Sequence, residues 1–341
     1  MRALRSILTL AALAGAASGS PALTFNYTWV AGTTAAEQAA FQTAGALWSS
    51  ALQDPITVNL TLGTGSLGAG ILASTSSTQF SYSYTSFKTA LSNDRLSADD
   101  FNAVGHLAAG ASFPLLINRT SDNPNGAGSA TPYLDTAGAN NQTIRITSAN
   151  AKAVGLSAPT STDGSITFST SFVYDLNPAD GITPGQFDFV GLATHEIGHA
   201  LGFISGVDVL DTTTGLTANG YPVVSALDLF RFSSQSFAQG ASDWTADNRV
   251  KYFSLDGGVT AGPTFANGVV NGDGRQASHW KDDLGLGVMD PTAAPGELLT
   301  ISTNDKRALD VIGWNLAAVP EPATWAMWAL GLGVLLWRRR V

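Results

Sequence analysis

The stretch from Phe189 to Leu201, FVGLATHEIGHAL, constrains this chain more than any other part of its sequence. It contains no proline and is long enough for a helix, and Asp188 just before it is a suitable N-cap residue. His195 and His199 stand at positions i and i+4, so a helical turn of 3.6 residues places both imidazoles on one face. The fold must therefore present these two side chains together, beside Glu196.

This spacing is typical of a metal site with a neighbouring general base. Two imidazole nitrogens about 2 Å from one ion require such a pair. Zinc lowers the pKa of bound water towards 7 and polarises a carbonyl, so Glu196 can take the proton and later return it to a leaving amine. The alternative is a solvated helix face with two ordinary histidines. Because the chain has only four histidines and two stand here, the pattern favours a Zn²⁺ site.

Composition limits the other possible functions. The chain has no cysteine, which excludes disulfides, thiol catalysis and thiolate ligands, so a metal must be held by His, Asp or Glu. The net charge of -9 and the pI near 4.7 leave no basic surface for a polyanion, and we expect no nucleic-acid partner. The 36 glycines, beside many Ser, Thr and Asn, indicate a turn-rich domain that contains β-structure.

The first 22 residues have the order of a secretory signal peptide. Arg2 and Arg5 supply the positive start, Ile7 to Ala17 the apolar stretch, and small residues up to Ala22 a cleavage region. The alternative is an ordinary amphipathic helix at the N-terminus. We predict an exported protein with a mature chain that starts near Leu23.

The last residues, 319–341, form a second targeting segment. Val319-Pro320-Glu321-Pro322 precedes an apolar run over 323–337, about 22 Å long as a helix, and three arginines at 338–340 follow. This order resembles the PEP-CTERM sorting signal of Gram-negative bacteria. The resemblance implies transient inner-membrane anchoring, removal of the tail by an exosortase, and release or attachment at the cell surface. A plain transmembrane tail anchor is the alternative.

Between these two ends the pattern predicts one α+β domain over residues 23–316, without repeats or a long linker. Its opening is a strand, a helix and a strand, over Phe25 to Val30, Thr34 to Leu52 and Ile56 to Leu62. Further elements are predicted at Tyr84 to Leu91, Ile144 to Thr147, Ile166 to Tyr174 and Thr303 to Ile312. Residues 204–300 are expected to be mostly loop, with a short element at 228–232.

The residues after the two histidines resemble the metzincin zinc peptidases. In HEIGHALGF, Gly202 occupies the place of the glycine that ends the helix in that family and lets the chain turn back. The commonest metzincin signature has its third ligand, a His, three residues beyond this glycine. Here that position is Ser205, so three candidates remain for the third ligand: His279, Asp208 and His106.

Within the metzincins the chain is most similar to the leishmanolysin-type arrangement. There a long insertion precedes a third ligand in a Ser-His-Trp segment, which a Met-turn follows. Ser278-His279-Trp280 and Val288-Met289-Asp290-Pro291 match both parts in order. The resemblance implies that His279 is the third ligand and that Met289 packs beneath the ligands. It also implies a mixed twisted sheet above the active-site helix, and a loop-rich lower lobe with a Met-turn and a C-terminal helix.

The resemblance implies a secreted or surface-anchored zinc metalloendopeptidase that acts on a protein or peptide substrate. Two alternatives stay open, a non-catalytic surface or matrix protein stabilised by zinc and a metallohydrolase acting on a non-peptide extracellular substrate. No Tyr follows Met289 closely, so the sequence names no oxyanion-stabilising residue.

An additional Ca²⁺ site is a weaker hypothesis, because Asp256-Gly257-Gly258, Asp282-Asp283 and the segment 271–274 lack the full spacing of a calcium loop. Phe168 to Phe172 fits either a substrate-pairing edge strand or an interior strand.

Overall fold

The computed structural model describes residues 22–317. The helices within this range are α1 (Ala35–Ala51), α2 (Tyr84–Asp94), α3 (Ala98–Gly105), α4 (Ala139–Gln142), α5 (Ser148–Ala153), α6 (Phe189–Leu201), α7 (Val207–Thr212), α8 (Ser234–Ala238) and α9 (Thr303–Val311). The strands are β1 (Thr24–Trp29), β2 (Thr57–Gly65), β3 (Ala73–Ser77), β4 (Gln79–Ser83), β5 (Leu115–Ile117), β6 (Tyr133–Asp135), β7 (Thr143–Thr147), β8 (Gly164–Ser169), β9 (Tyr174–Asp175), β10 (Phe187–Asp188), β11 (Arg231–Phe232), β12 (Ser242–Trp244), β13 (Lys251–Phe253) and β14 (Thr264–Phe265). The architecture is α+β, as predicted, with several small sheets.

The main sheet has four strands in the order β1-β2-β8-β3. β1, β2 and β8 run parallel, and β3 pairs antiparallel with β8 at one edge. The strand predicted over Ile166 to Tyr174 is confirmed only as far as Ser169, where β8 ends. Tyr174 belongs to a separate strand, β9, which pairs with β10. β8 lies inside the sheet, so the interior-strand alternative for Phe168 to Phe172 is correct for Phe168 and Ser169. The edge strand next to β8 is β3.

The strand-helix-strand opening is confirmed as β1, α1 and β2. Thr34 begins α1 with a capping box, in which its hydroxyl accepts from the Glu37 N–H and the Glu37 carboxylate accepts from the Thr34 N–H. The indole of Trp48 on α1 is fully buried and donates to the carbonyl oxygen of Thr194 on α6 over 2.8 Å. The first helix therefore supports the helix that carries the histidine pair.

An aromatic cluster holds α6 against the main sheet. The ring of Phe168 on β8 stacks on the ring of Phe189, the first residue of α6, with centroids 4.1 Å apart. Phe41 from α1 meets both rings edge-on, at 5.2 and 4.9 Å. Buried aromatic pairs of this kind each contribute about 0.5–1.5 kcal/mol beyond the area they remove from water. The start of α6 is thereby fixed relative to the sheet.

The prediction that residues 204–300 are mostly loop is confirmed, but short elements interrupt the loops. The segment contains α7, α8 and four short strands, of which β12 joins a sheet with β5 from the first half of the chain. Elements of two to six residues are too short for a clear periodic signal, and their stability comes from tertiary contacts. Apolar side chains from this segment join one continuous core with those of the main sheet.

The C-terminal helix α9 is confirmed, and the chain after it returns to the core. Gly313 adopts φ 106°, and Trp314 is fully buried with its indole donating to Leu201 O over 2.8 Å. Among residues 22–317, no helix is long and apolar enough to cross a lipid bilayer. The predicted signal peptide, apart from Ala22, and the predicted sorting tail lie outside the described residues.

Candidate metal centre

Helix α6 begins and ends where the sequence predicts. The Asp188 carboxylate accepts from the Gly191 N–H over 2.8 Å and from the Leu299 N–H over 3.1 Å, so it caps the helix and fastens a later loop to it. Gly202 ends the helix with φ 121°, a conformation that residues with a side chain rarely adopt. The chain then turns away from the axis of α6.

The structure brings His195, His199 and His279 together. The distance between Nε2 atoms is 3.1 Å for His195 and His199, and 3.2 Å from His279 to each of them. Ligand nitrogens bound at about 2.0–2.1 Å to one tetrahedral ion lie about 3.3 Å apart. Within residues 22–317 this is the only group of three or more His, Asp and Glu side chains with ligand atoms close enough to share an ion.

Each imidazole is oriented by a backbone carbonyl on its other side. The Nδ1 atoms of His195, His199 and His279 lie 2.7, 2.7 and 3.2 Å from the carbonyl oxygens of Val288, Phe203 and Gln276 respectively. A carbonyl oxygen can only accept, so each Nδ1 carries the hydrogen and each Nε2 presents a lone pair. Outer-shell contacts of this kind fix the tautomer that a metal ligand requires.

The electrostatic surroundings disfavour protonation of two of the imidazoles, those of His199 and His279. Burial, together with the nearby His195, lowers the pKa of His199 to about 3. Burial and the other two histidines also hold the pKa of His279 well below its ordinary value. Three lone pairs that face one another at this distance repel unless a cation lies between them. Neutral nitrogen donors converging on one point suit a borderline-soft divalent ion such as Zn²⁺.

Met289 packs against α6 at Gly198, the residue before His199. Its side chain is fully buried, and its Sδ atom occupies the space beside Gly198, where a Cβ would stand only 2.5 Å from the sulfur. The turn before it is held by Asp305 at the start of α9, which accepts from the N–H groups of Val288 and Met289 over 2.9 and 3.3 Å. Asp305 also accepts from the Trp280 indole over 2.8 Å.

Asp305 is not among the site residues that the sequence predicts. Its only signal is the pattern Ser302-x-x-Asp305, a capping box that marks the beginning of α9. The same carboxylate that caps the helix also fixes the Met289 turn and the Trp280 ring beside the third histidine. Only the packing of α9 against both segments shows this second role.

Glu196 lies at the cluster with its carboxylate held from the edge strand. The hydroxyl of Thr75 on β3 lies 2.6 Å from Glu196 Oε2 and donates to it. Glu196 is buried, and this burial raises the pKa of its carboxyl, an effect that His195 and the Thr75 hydroxyl oppose. Thr75 was missed because its segment, ASTSS, has no hydrophobic alternation that predicts a strand.

The two alternative third ligands lie elsewhere. Asp208 does not join the histidines; its carboxylate accepts from the backbone N–H groups of Ala277 and Ser278 and from the Ser278 hydroxyl. Burial raises the pKa of Asp208 to about 6, although these bonds oppose the shift. His106 ends α3 on the surface, with Nδ1 2.8 Å from Asn102 O. The hypothesis that either residue replaces His279 is therefore wrong in this structure.

Three of the acidic residues in the calcium hypothesis, Asp256, Asp273 and Asp282, are engaged with protein donors. Asp256 accepts from Ser254 and Thr260 as part of a turn. Asp273 pairs with Lys281 over 2.6 Å, and Asp282 pairs with Arg275 over 2.7 Å. In the part of the chain that the structure describes, these groups are not gathered into a cluster of metal-ligating side chains.

The histidine cluster opens into a cleft of about 550 Å³. One part of its lining is residues 70–75, which include the first three residues of the edge strand β3. Another part is Arg275, Gln276, Ser278, His279 and residues 290–293. His195, Glu196 and His199 form the floor between them. The edge strand, the Glu196 carboxylate and the three imidazoles therefore line the same cleft.

Comparison with known protein families matches residues 318–340 to the PEP-CTERM protein-sorting motif. This confirms the interpretation of the tail: the chain is an exported protein of a Gram-negative bacterium, sorted to the cell envelope or surface, and the motif implies processing of its C-terminus by an exosortase. No curated protein and no solved structure shows a significant match to the chain.

Proposed function

We propose that this exported chain is a zinc metalloendopeptidase of the metzincin type, with the leishmanolysin-like order of ligands, that hydrolyses proteins or peptides outside the cytoplasm. The observation that supports it most is the convergence of three Nε2 atoms, 3.1–3.2 Å apart, beside a buried carboxylate at the floor of a cleft. His195, His199 and His279 would hold the ion. Zinc in that position supplies a Lewis acid that polarises the scissile carbonyl and acidifies water.

Glu196 is the general base and then the general acid in this proposal. Its carboxylate accepts a proton from water as the water oxygen adds to the carbonyl carbon, and donates that proton to the amide nitrogen as the C–N bond breaks. Burial raises its pKa, which makes the ionised group a stronger base than a solvated carboxylate. The Thr75 hydroxyl orients one oxygen, Oε2, and the other remains available to the water.

The edge strand β3 supports the choice of an extended peptide as substrate. β3 pairs with β8 on one side only, and its residues Ala73 to Thr75 line the cleft. An unpaired strand edge offers backbone N–H and C=O groups to a peptide in β-conformation. A chain bound in this way lies across Glu196 with an internal peptide bond at the histidine cluster, which is the requirement for an endopeptidase.

A metal site with a purely structural role has no use for the carboxylate of Glu196 at the floor of an open cleft. Structural zinc sites are usually closed by four protein ligands, whereas catalytic sites keep a position open. Here three imidazoles converge, and the fourth side faces the cleft. This arrangement favours the catalytic proposal over a zinc-stabilised surface protein.

The test is the substitution Glu196→Gln, with Glu297→Gln as the matched control at an exposed loop position. The purified domain, loaded with Zn²⁺, is assayed for cleavage of casein and for bound zinc. We expect E196Q to lose at least about 10³-fold of the hydrolysis with zinc still bound, and E297Q to keep it. If E196Q cleaves casein at the parent rate, the mechanism is wrong. A parent that binds zinc tightly but cleaves no protein would contradict the proposed peptidase.

A further inference from the structure

The third histidine lies in a short turn that is far along the chain from the other two. His279 comes 80 residues after His199 and is not part of a helix or of an extended strand. Its Nδ1 atom donates to Gln276 O within the same turn, over 3.2 Å, so the turn orients its own ring. The position of His279 Nε2 therefore depends on what holds residues 276–278.

Residues just after α6 hold that turn. Asp208 Oδ1 accepts from the Ala277 N–H over 2.5 Å, and Asp208 Oδ2 accepts from the Ser278 N–H over 3.2 Å and from the Ser278 hydroxyl. The Ser278 hydroxyl oxygen in turn accepts from the Ser205 N–H over 2.8 Å. Ser205 and Asp208, at and beyond the position where the commoner metzincin signature has its third histidine, thus both bind the segment that delivers His279.

We propose that Asp208 is a positioning residue for the third metal ligand: by binding both N–H groups between Gln276 and His279, it fixes the imidazole of His279 against those of His195 and His199. The inference rests on the proposed function in that His279 is taken as a metal ligand. A carboxylate that accepts from two consecutive backbone N–H groups defines the direction of the peptide planes between them. Partners behind metal ligands typically contribute 10–100-fold to metal affinity.

A second aspartate on the same helix provides a comparison. Asp211, one turn further along α7, accepts from the N–H groups of Val270 and Asn271 over 2.8 Å each. It therefore clamps a loop in the same manner, but that loop contributes no histidine to the cluster. Loss of Asp211 measures the general cost of releasing a loop from α7, whereas loss of Asp208 also releases the ligand turn.

The experiment measures metal binding in the full chain with the E196Q substitution, so that neither hydrolysis nor self-cleavage affects the measurement. D208N, S278A and D211N are compared by near-UV circular dichroism, by Zn²⁺ affinity in competition with a chromogenic chelator, and by the visible spectrum of the Co²⁺ form. We expect D208N to weaken zinc binding about 10–100-fold and to alter the Co²⁺ spectrum, and S278A to weaken it less. D211N should lower thermal stability and keep the zinc affinity within about twofold.

A double-mutant cycle separates positioning from general packing. In a chain that already carries H279A, D208N should change the zinc affinity by less than about twofold, because the residue acts through the missing imidazole. The inference is overturned if folded D208N binds zinc as tightly as the parent, or if D208N has its full effect without His279. If D208N does not fold, S278A with H279A completes the same cycle. If the E196Q parent itself binds no zinc, the proposed function fails first, and this inference fails with it.

Discussion

Met289 packs against Gly198, the helix residue directly before His199, and its sulfur fills the space that a side chain would need. A Cβ at position 198 would stand 2.5 Å from Met289 Sδ and 3.5 Å from the ring of Trp48. Met289 therefore fits in this position only because residue 198 is a glycine, and a larger residue at 198 would displace the methionine side chain. The absence of a side chain at 198 lets the Met289 turn come close enough for Val288 O to accept from His195 Nδ1 over 2.7 Å.

Gly198→Ala should destabilise the protein although alanine is the better helix former. Alanine gains up to about 1 kcal/mol of helix propensity, but the clash with the buried sulfur costs about 1–3 kcal/mol. We expect a net loss of about 1–2 kcal/mol in urea unfolding of the metal-free protein. Gly105→Ala is the control, because Gly105 lies in α3 and a Cβ added there would have no heavy atom within 4 Å. Equal stability of the two variants would contradict the close packing of Met289 on α6.

Thr75→Val should reduce catalysis while the metal site stays intact. The substitution removes the hydroxyl that donates to Glu196 Oε2 and keeps the shape of the side chain. We expect kcat/KM for a peptide substrate to fall about 10–100-fold, because a hydrogen bond from a hydroxyl to an ionised group contributes about 1.5–3 kcal/mol. Thr75→Ser keeps the hydroxyl and should retain most activity. A T75V enzyme with unchanged kcat/KM would show that the hydroxyl has no part in holding the carboxylate.

His279→Ala should abolish tight metal binding, whereas His106→Ala should leave it unchanged. His279 supplies one of three converging nitrogens, and His106 lies on the surface at the end of α3. Loss of a ligand should cost more than the 10–100-fold typical of outer-shell partners, so we expect zinc affinity to fall by more than about 100-fold. Equilibrium dialysis with metal analysis gives the comparison. Weakened binding in H106A, or tight binding in H279A, would contradict the assignment of ligands.

Asp310 should make the protein less stable as the pH rises from about 4 to about 7. It is buried on α9, and burial, with Asp100 and Asp99 nearby, raises its pKa from 3.8 to about 7, an effect that Ser97 opposes. The folded state therefore binds this proton more tightly than the unfolded state does. Between pH 3.8 and about 7 the free energy of unfolding falls with rising pH, by up to about 1.4 kcal/mol per pH unit.

Asp310→Asn removes this titration. The difference in free energy of unfolding between D310N and the parent should shift in favour of D310N by about 1–3 kcal/mol when the pH is raised from 4 to 8. Urea unfolding at both pH values measures the difference, with Asp180→Asn, an exposed carboxylate, as the control. A D310N curve that stays parallel to the parent across this range would show that Asp310 titrates alike in both states.

The features that the sequence predicted best are those that depend on residues close together in the chain, such as helix caps and periodic strands and helices. The bounds of α6, its cap at Asp188 and its end at Gly202 follow from capping and glycine conformation, which act within a few residues. The opening of β1, α1 and β2 follows from clear periodicity. In contrast, β3 was missed because its serines and threonines give no apolar alternation, and it is a strand because β8 offers it a partner.

The sequence predicted the side chains at the centre of the candidate site but not the residues that hold those side chains in place. His195, Glu196, His199, His279 and Met289 have residue types and motifs that name them. In the structure the three histidines converge, Glu196 lines the same cleft, and Met289 packs beside Gly198. Asp208 was considered as a ligand because a carboxylate near the turned-back chain suits one. Its actual partners, the N–H groups at 277 and 278, lie 69 and 70 residues away, and no local pattern indicates which distant backbone groups a carboxylate will bind.

The sequence separation between the second and third histidines determines at which stage of folding the histidine cluster forms. A helix alone brings two imidazoles together, and such a pair can form before the rest of the molecule. The third arrives only after the intervening 80 residues have packed, since His279 depends on contacts to α7 and its orientation on the surrounding lobe. If the chain is the proposed zinc peptidase, an incompletely folded form would bind metal weakly and hydrolyse no substrate, so the metal centre would form only when the fold is complete.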